Sequence, residues 1–278
     1  MSEDLLGRYT IETPPFLRQL AMDSFAAVPE GHPMTAFMEL DVTEPLESIE
    51  ARKREGVRVS LFAHVVRSIA VALSEHRELN VVRHGRRIAY FEDVDVNIPV
   101  EVQTAEGKFP LQIVIRRAQD KGAGAIYDEI ASARERYATE GATGAEDRWA
   151  RTMMRVERWV PRLLRLFLIR RMIANARLVK QRSGTTLVTS VGKFASIPGF
   201  VTPFASGPRA VTFALGSVVD KPRVKDGCIA IRSVLALTAI FEHDLVDGAP
   251  AARFASRLRD LVEGPLDLGP GPTADDDP

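Results

Sequence analysis

Apolar positions along the chain follow two periods, and the two interleave from end to end. Residues 36–43 alternate apolar and polar side chains, the pattern of a half-buried strand. Thr43 is then placed to cap a helix, with Pro45 in its first turn and Gly56 past its end. Ser60 caps a second helix, in which Leu61, Val65, Ile69, Ala72 and Leu73 share one face. His64 falls within that helix as a packed or partly exposed residue. His76 falls near its C-terminal end, where the helix dipole favours a cation. Shorter strand-like runs follow at 81–88, with a turn at His84-Gly85, at 94–102, and at 109–115 after a turn at 105–107. The spacing predicts a helix over 124–137 and strands over 185–191, 209–218 and 228–241. The last two strands meet at the hairpin signal Lys225-Asp226-Gly227. Phe254, Leu258, Leu261 and Val262 mark a final helix that Gly264-Pro265 ends. This intermixing of strands and helices predicts an α/β architecture.

Composition narrows the picture. The chain has 278 residues, 45% hydrophobic and 27% charged, as expected of one globular domain. Its zero formal net charge gives no whole-chain argument for nucleic acid. Residues 1–15 are polar and acidic, so no signal peptide is expected. No apolar run reaches the roughly 18 residues of a membrane span. The lone Cys228 can form no intramolecular disulfide, which suits a reducing cytoplasm, and its strand context reads as a small core residue. The five histidines, at 32, 64, 76, 84 and 243, lack ligand spacing, and no metal is predicted. The expected organisation is an N-terminal arm over 1–27, a domain over 28–265 and a disordered tail over 266–278.

One stretch departs from the average. Residues 148–182 hold eleven basic residues against a single acid, Glu157, so the remainder of the chain carries a net −10. The same stretch holds Trp149, Trp159, Leu163, Leu164, Phe167 and Leu168. Its charge-free runs are far too short to cross a bilayer. Three readings stay open: a helical pair packed on the domain or a neighbouring subunit, a membrane-surface helix, or a docking surface for an acidic carrier protein or the phosphates of a nucleotide.

The candidate chemistry lies near the C-terminal end, in Phe241-Glu242-His243-Asp244-Leu245-Val246-Asp247-Gly248. A histidine follows an apolar strand, and Asp247 and Gly248 come four and five residues later, where a helix begins. Imidazole titrates near pH 6.5, so a histidine held there suits a general base that takes a proton from a thiol or alcohol. The alternative is a strand-end histidine with no role and Asp247 as a helix cap.

The pattern His243-x-x-x-Asp247-Gly248, followed by Ala-x-Ala-Ala-Arg-Phe, resembles the active-site signature of the acyltransferase subunits of 2-oxo acid dehydrogenase complexes. Chloramphenicol acetyltransferase shares its core. Met38–Thr43 resembles the first strand of that family, and Val59-Ser60-Leu61 through Glu78-Leu79-Asn80 its first long helix and following turn. Thr189-Ser190-Val191-Gly192-Lys193-Phe194 resembles a later strand end. The similarity spans residues 28–265, with a basic helical insert at about 140–182.

The resemblance implies a chloramphenicol acetyltransferase-like two-layer sandwich, a mixed sheet covered by helices. It implies acyl transfer between coenzyme A and a thiol or other acceptor, with His243 as base and the Thr189 hydroxyl on the oxyanion. Ser190 is the alternative donor, because a one-residue shift reverses a strand side chain. Asp247 would hold the corner by charged hydrogen bonds. The implied assembly is a homotrimer, with His243 from one chain meeting Thr189 of the next. The implied partners are acyl-coenzyme A and a lipoyl domain or acyl carrier protein on another chain; no lipoyl module is recognisable in this one. Where relatives read Asp-His-Arg, this chain reads Glu242-His243-Asp244. A carboxylate facing His243 would favour its charged form and weaken a base. That departure keeps a second reading open: a catalytically inactive scaffold that binds a membrane or protein partner through the insert.

Overall fold

The structure, a computed structural model, describes residues 10–104, 107–140, 160–192, 198–203 and 207–266. Its helices are α1 (Phe16–Ala27), α2 (Thr43–Arg54), α3 (Leu61–Glu75), α4 (Ala123–Glu140), α5 (Arg162–Ile173), α6 (Ala176–Ser183) and α7 (Gly248–Glu263). The strands are β1 (Pro33–Asp41), β2 (Val81–His84), β3 (Arg87–Tyr90), β4 (Val96–Thr104), β5 (Gly107–Ile115), β6 (Thr186–Ser190), β7 (Val211–Lys225) and β8 (Cys228–Glu242). Six of them form one sheet in the order β1-β8-β7-β6-β4-β5. β6 runs parallel to both β4 and β7, and the other pairings are antiparallel, so the sheet is mixed. β2 and β3 form a separate hairpin.

Local chemistry accounts for several element ends. The Ser60 hydroxyl accepts from the Ala63 N–H at 3.2 Å and starts α3. The start of α2 differs from expectation. Thr43 is the first helical residue, Val42 is the cap position and makes no side-chain cap bond, and Asp41 just before it accepts from the Thr43 N–H at 3.1 Å and the Thr43 hydroxyl at 2.7 Å. Arg232 Nε donates to the other Asp41 oxygen at 2.6 Å, which fixes the carboxylate in place. At the β7–β8 turn Asp226 and Gly227 both have positive φ, 51° and 79°, as a two-residue hairpin turn requires. The strands reach that turn on both sides, so β7 is longer than the expected 209–218. Past Leu215 it has no β6 partner, and Pro222 is tolerated on the free edge. Because the hairpin tip projects, Cys228 is exposed, which corrects the reading of it as a core residue.

Register assigns the two faces. Phe213, Leu215, Leu235, Leu237, Ala239 and Phe241 join the core with Val188 and α7. The rings of Phe213 and Phe241 stand 5.9 and 6.0 Å from Phe254 of α7. Helix α3 packs on α4 and α7, which completes the helical layer. The opposite face of β7 and β8 carries Thr212, Ala214, Thr238 and Ile240. The backbone of the segment after β6 crosses that face so closely that a Cβ on Gly216 would stand 2.4 Å from the Gly199 carbonyl oxygen. β7 bulges there, between Leu215 and Val218.

The expected arm over 1–27 contains α1, which packs on α5 of the basic stretch. The turn at 105–106, residues 141–159 of the insert and the tail from 267 lie outside the described residues.

Candidate active site at the end of strand β8

His243 is the first residue past β8. Its N–H donates to the His32 carbonyl at 3.0 Å, and the chain then turns with the Leu245 and Val246 N–H groups donating to the Glu242 carbonyl at 2.9 and 3.1 Å. Asp247 is the N-terminal flanking residue of α7. The strand, corner and helix read from the sequence are therefore present. The His243 Nδ1 lies 3.8 Å from Asp247 Oδ1, with the two side chains 50% and 86% exposed. Asp247 makes no side-chain capping bond to its helix. The charged hydrogen bonds expected of it are supplied by another residue.

That residue is Asp244. Its carboxylate turns towards Arg83 of β2, accepting from Nη2 at 2.6 Å, and towards His32 Nδ1 at 2.9 Å. The hydrogen bond from Arg83, followed by that from His32, holds the Asp244 carboxyl below the usual carboxylate range. Glu242 Oε1 accepts the His32 N–H at 2.7 Å. Both carboxylates flanking His243 are thus spent on fixing the corner to the segment before β1. His32, Glu242 and Asp244 place ligand-type atoms within 4.8 Å of one another, a cluster that histidine spacing conceals. Arg83 and the His32 N–H already use those carboxylates, and we assign no metal there. His32 and Arg83 are the residues that sequence reasoning missed. Only the turn signal beside Arg83 hinted at its neighbourhood.

A cavity of about 400 Å³ adjoins this corner. Val28, Arg83, Arg170, Ile173, Glu242 and Leu245 are among the residues that line it, so α5 of the basic stretch forms one wall behind the corner.

The sheet separates Thr189 from Ser190. Thr189 pairs with Ala214, and Ala214 with Thr238, which puts Thr189 on the face away from the helices. Ser190 pairs with Leu215 on the helical side. Thr238 is fully buried, and its hydroxyl has no partner among the described residues. Thr238 precedes His243 by five residues, so at about 3.3 Å per residue Thr189 lies upwards of roughly 15 Å from His243 in the same chain. One chain does not bring the two together.

A model of the family 2-oxoacid dehydrogenases acyltransferase (catalytic domain) matches residues 19–149 and 171–269. The chain belongs to that family. The family match breaks over 150–170, inside the basic stretch, and includes most of α1. Among its relatives is the Arabidopsis thaliana mitochondrial dihydrolipoyllysine-residue succinyltransferase component of 2-oxoglutarate dehydrogenase complex 1. The two are 23% identical over 240 residues, covering 84% of this chain and 43% of that protein. The chain spans less than half the length of the curated relatives it matches. The cubic core of the pyruvate dehydrogenase multienzyme complex has the same fold, with TM-score 0.66, 20% identity and coverage of 94% of both chains. So has Azotobacter vinelandii dihydrolipoamide acetyltransferase, with TM-score 0.67, 19% identity and coverage of 92% of both chains. That structure concerns the catalytic role of a serine, a histidine and an asparagine four residues after the histidine.

Proposed function

We propose that the protein is a coenzyme A-dependent acyltransferase in which His243 is the general base. The observation that carries this reading is the corner itself: a solvent-reachable imidazole at the end of β8, with Asp247 four residues on, in a chain of this family. The same interval separates the histidine and asparagine of the Azotobacter enzyme. With Asp247 on the Nδ1 side, Nε2 is left to take the proton from an acceptor thiol. The thiolate attacks the thioester carbonyl, and a hydroxyl stabilises the oxyanion. Collapse of the tetrahedral intermediate expels the coenzyme A thiolate, which recovers the proton from His243. The hydroxyl is that of Thr189 from a neighbouring chain, because the Thr189 of the same chain is out of reach. A trimer or a multiple of it supplies that neighbour, in keeping with the oligomeric core formed by a relative. The acceptor would be a lipoyl group or carrier thiol on another chain.

The inactive-scaffold reading rests on the carboxylates beside the base and on the lack of a recognisable lipoyl module. Asp244 and Glu242 engage Arg83 and His32, which favours the catalytic reading over the scaffold. The test is calorimetric binding of coenzyme A and acetyl-coenzyme A, together with transfer to free dihydrolipoamide, for wild type and His243→Ala. Binding by both proteins with transfer at least a hundredfold slower in the variant is the expected result. Equal transfer rates, or no coenzyme A binding by either protein, would reject the assignment.

A further inference from the structure

Helix α5 is packed inside out. At 100° per residue, Leu163, Leu164, Phe167, Leu168 and Arg171 fall within about 140° of its circumference. All five are exposed, Leu163 at 81% and Phe167 at 61%. The opposite side buries Arg165 and Ile169. The inward cation is matched: Asp23 of α1 is buried and accepts from Arg165 Nε at 2.6 Å and from Arg162 Nε at 2.9 Å. Arg165 also lies over the Phe16 ring, 5.7 Å from its centroid. The helix is therefore held by an ion pair, while Leu163, Leu164, Phe167 and Leu168 point to solvent. Met22 and Phe25 of α1 are exposed as well, at 56% and 49%. Residues 160–183 contain seven basic residues and no acid. Of these, Arg170, Arg171 and Arg177 are exposed and pair with no described residue.

We propose that this face of α5 is a docking surface for an anionic lipid bilayer. A bilayer surface stacks phosphate over hydrocarbon, and the helix offers the matching pair, arginines beside and among Leu and Phe side chains. A second copy set face to face would put Arg171 against like charge, with no acid in the segment to relieve it. No helix among the described residues is long and apolar enough to cross a membrane, so contact is at the surface. Most of α5 falls in the stretch the family model leaves unmatched, so the device is an elaboration upon the family's common domain. Arg170 and Ile173 also line the cavity behind the His243 corner, which sets the lipid-facing helix beside the proposed active site.

The test is flotation of the full chain with phosphatidylcholine vesicles containing about a third phosphatidylglycerol, compared with phosphatidylcholine alone, at low and high salt. Flotation is expected on the anionic vesicles only, and weaker in high salt. Leu163→Glu with Phe167→Glu should abolish it. Arg170→Ala with Arg171→Ala should weaken it roughly thirtyfold. Both variants alter exposed side chains, so their melting temperatures and oligomeric states should match wild type. His243→Ala should float as wild type does, which keeps this outcome separate from the catalytic assignment. Absence of flotation by wild type would overturn the proposal, as would unchanged flotation of the Leu163→Glu, Phe167→Glu variant. Loss of a wild-type oligomer in that variant, without lipid binding by either protein, would identify the face as a self-interface and overturn it too.

Discussion

One position along β6 separates Thr189 from Ser190, and the sheet gives them opposite surroundings. Thr189 sits in a row with Ala214 and Thr238 on the face away from the helices, while Ser190 sits in a row with Leu215 and Leu237 on the core side. In the proposed function the hydroxyl that serves a neighbouring chain is the one on the first of these. Thr189→Val is therefore expected to lower kcat by about a hundred- to a thousandfold, the usual loss of an oxyanion donor, with acyl-coenzyme A affinity unchanged. Ser190→Ala should stay within a few-fold of wild type. Steady-state kinetics on the two variants checks this, and a loss confined to Ser190→Ala would reverse the assignment. The sequence left the pair unresolved because a strand pattern carries no absolute facing until its neighbours are in register. His243 and Asp247 were legible because their interval is covalent. Arg83 and His32 were not, since they meet Asp244 across 161 and 212 residues of chain.

At the level of elements, hydrophobic periodicity located strands and helices well where one face meets the core, as in α3, β8 and α7. It failed to orient α5, where apolar residues surround the helix and a buried ion pair decides which side faces in. Burial alone would push the Asp23 carboxyl up; the hydrogen bonds from Arg162 and Arg165 outweigh it and hold the group below the usual range. A depressed carboxyl contributes stability that is present above its unfolded value, about 3.9, and is lost as pH falls through the folded one. The docking of α1 on α5 should thus be intact at neutral pH and loosen below about pH 4. Asp23→Ala strands Arg165 in a buried position and should cost about 3 kcal/mol. Thermal unfolding at neutral pH checks the size. Hydrogen exchange confined to α1 and α5 checks the place, and protection unchanged in the variant would show that the ion pair does not hold the two helices together.

The whole molecule poses a geometric problem that a single chain does not solve. β8 delivers His243 at one end of the sheet, and β6 presents Thr189 several residues up the other face, upwards of roughly 15 Å away along the strands. Moving either within the chain would break the ladders among β6, β7 and β8 or the clamp of Asp244 on Arg83 and His32. In the proposed oligomer, rotation about a symmetry axis would solve it, each interface taking the histidine end of one protomer and the threonine face of the next. Complementation tests this arrangement. His243→Ala and Thr189→Val, each nearly inactive alone, should regain activity when co-expressed, since interfaces that draw His243 from one variant and Thr189 from the other are intact. Random mixing in equal amounts makes about a quarter of the interfaces complete, so the mixed oligomer should reach about a quarter of wild-type kcat per chain. Activity no greater than the mean of the two variants would place both residues' action within one chain, which the sheet register forbids, and would therefore remove Thr189 from the mechanism rather than the neighbour from the site.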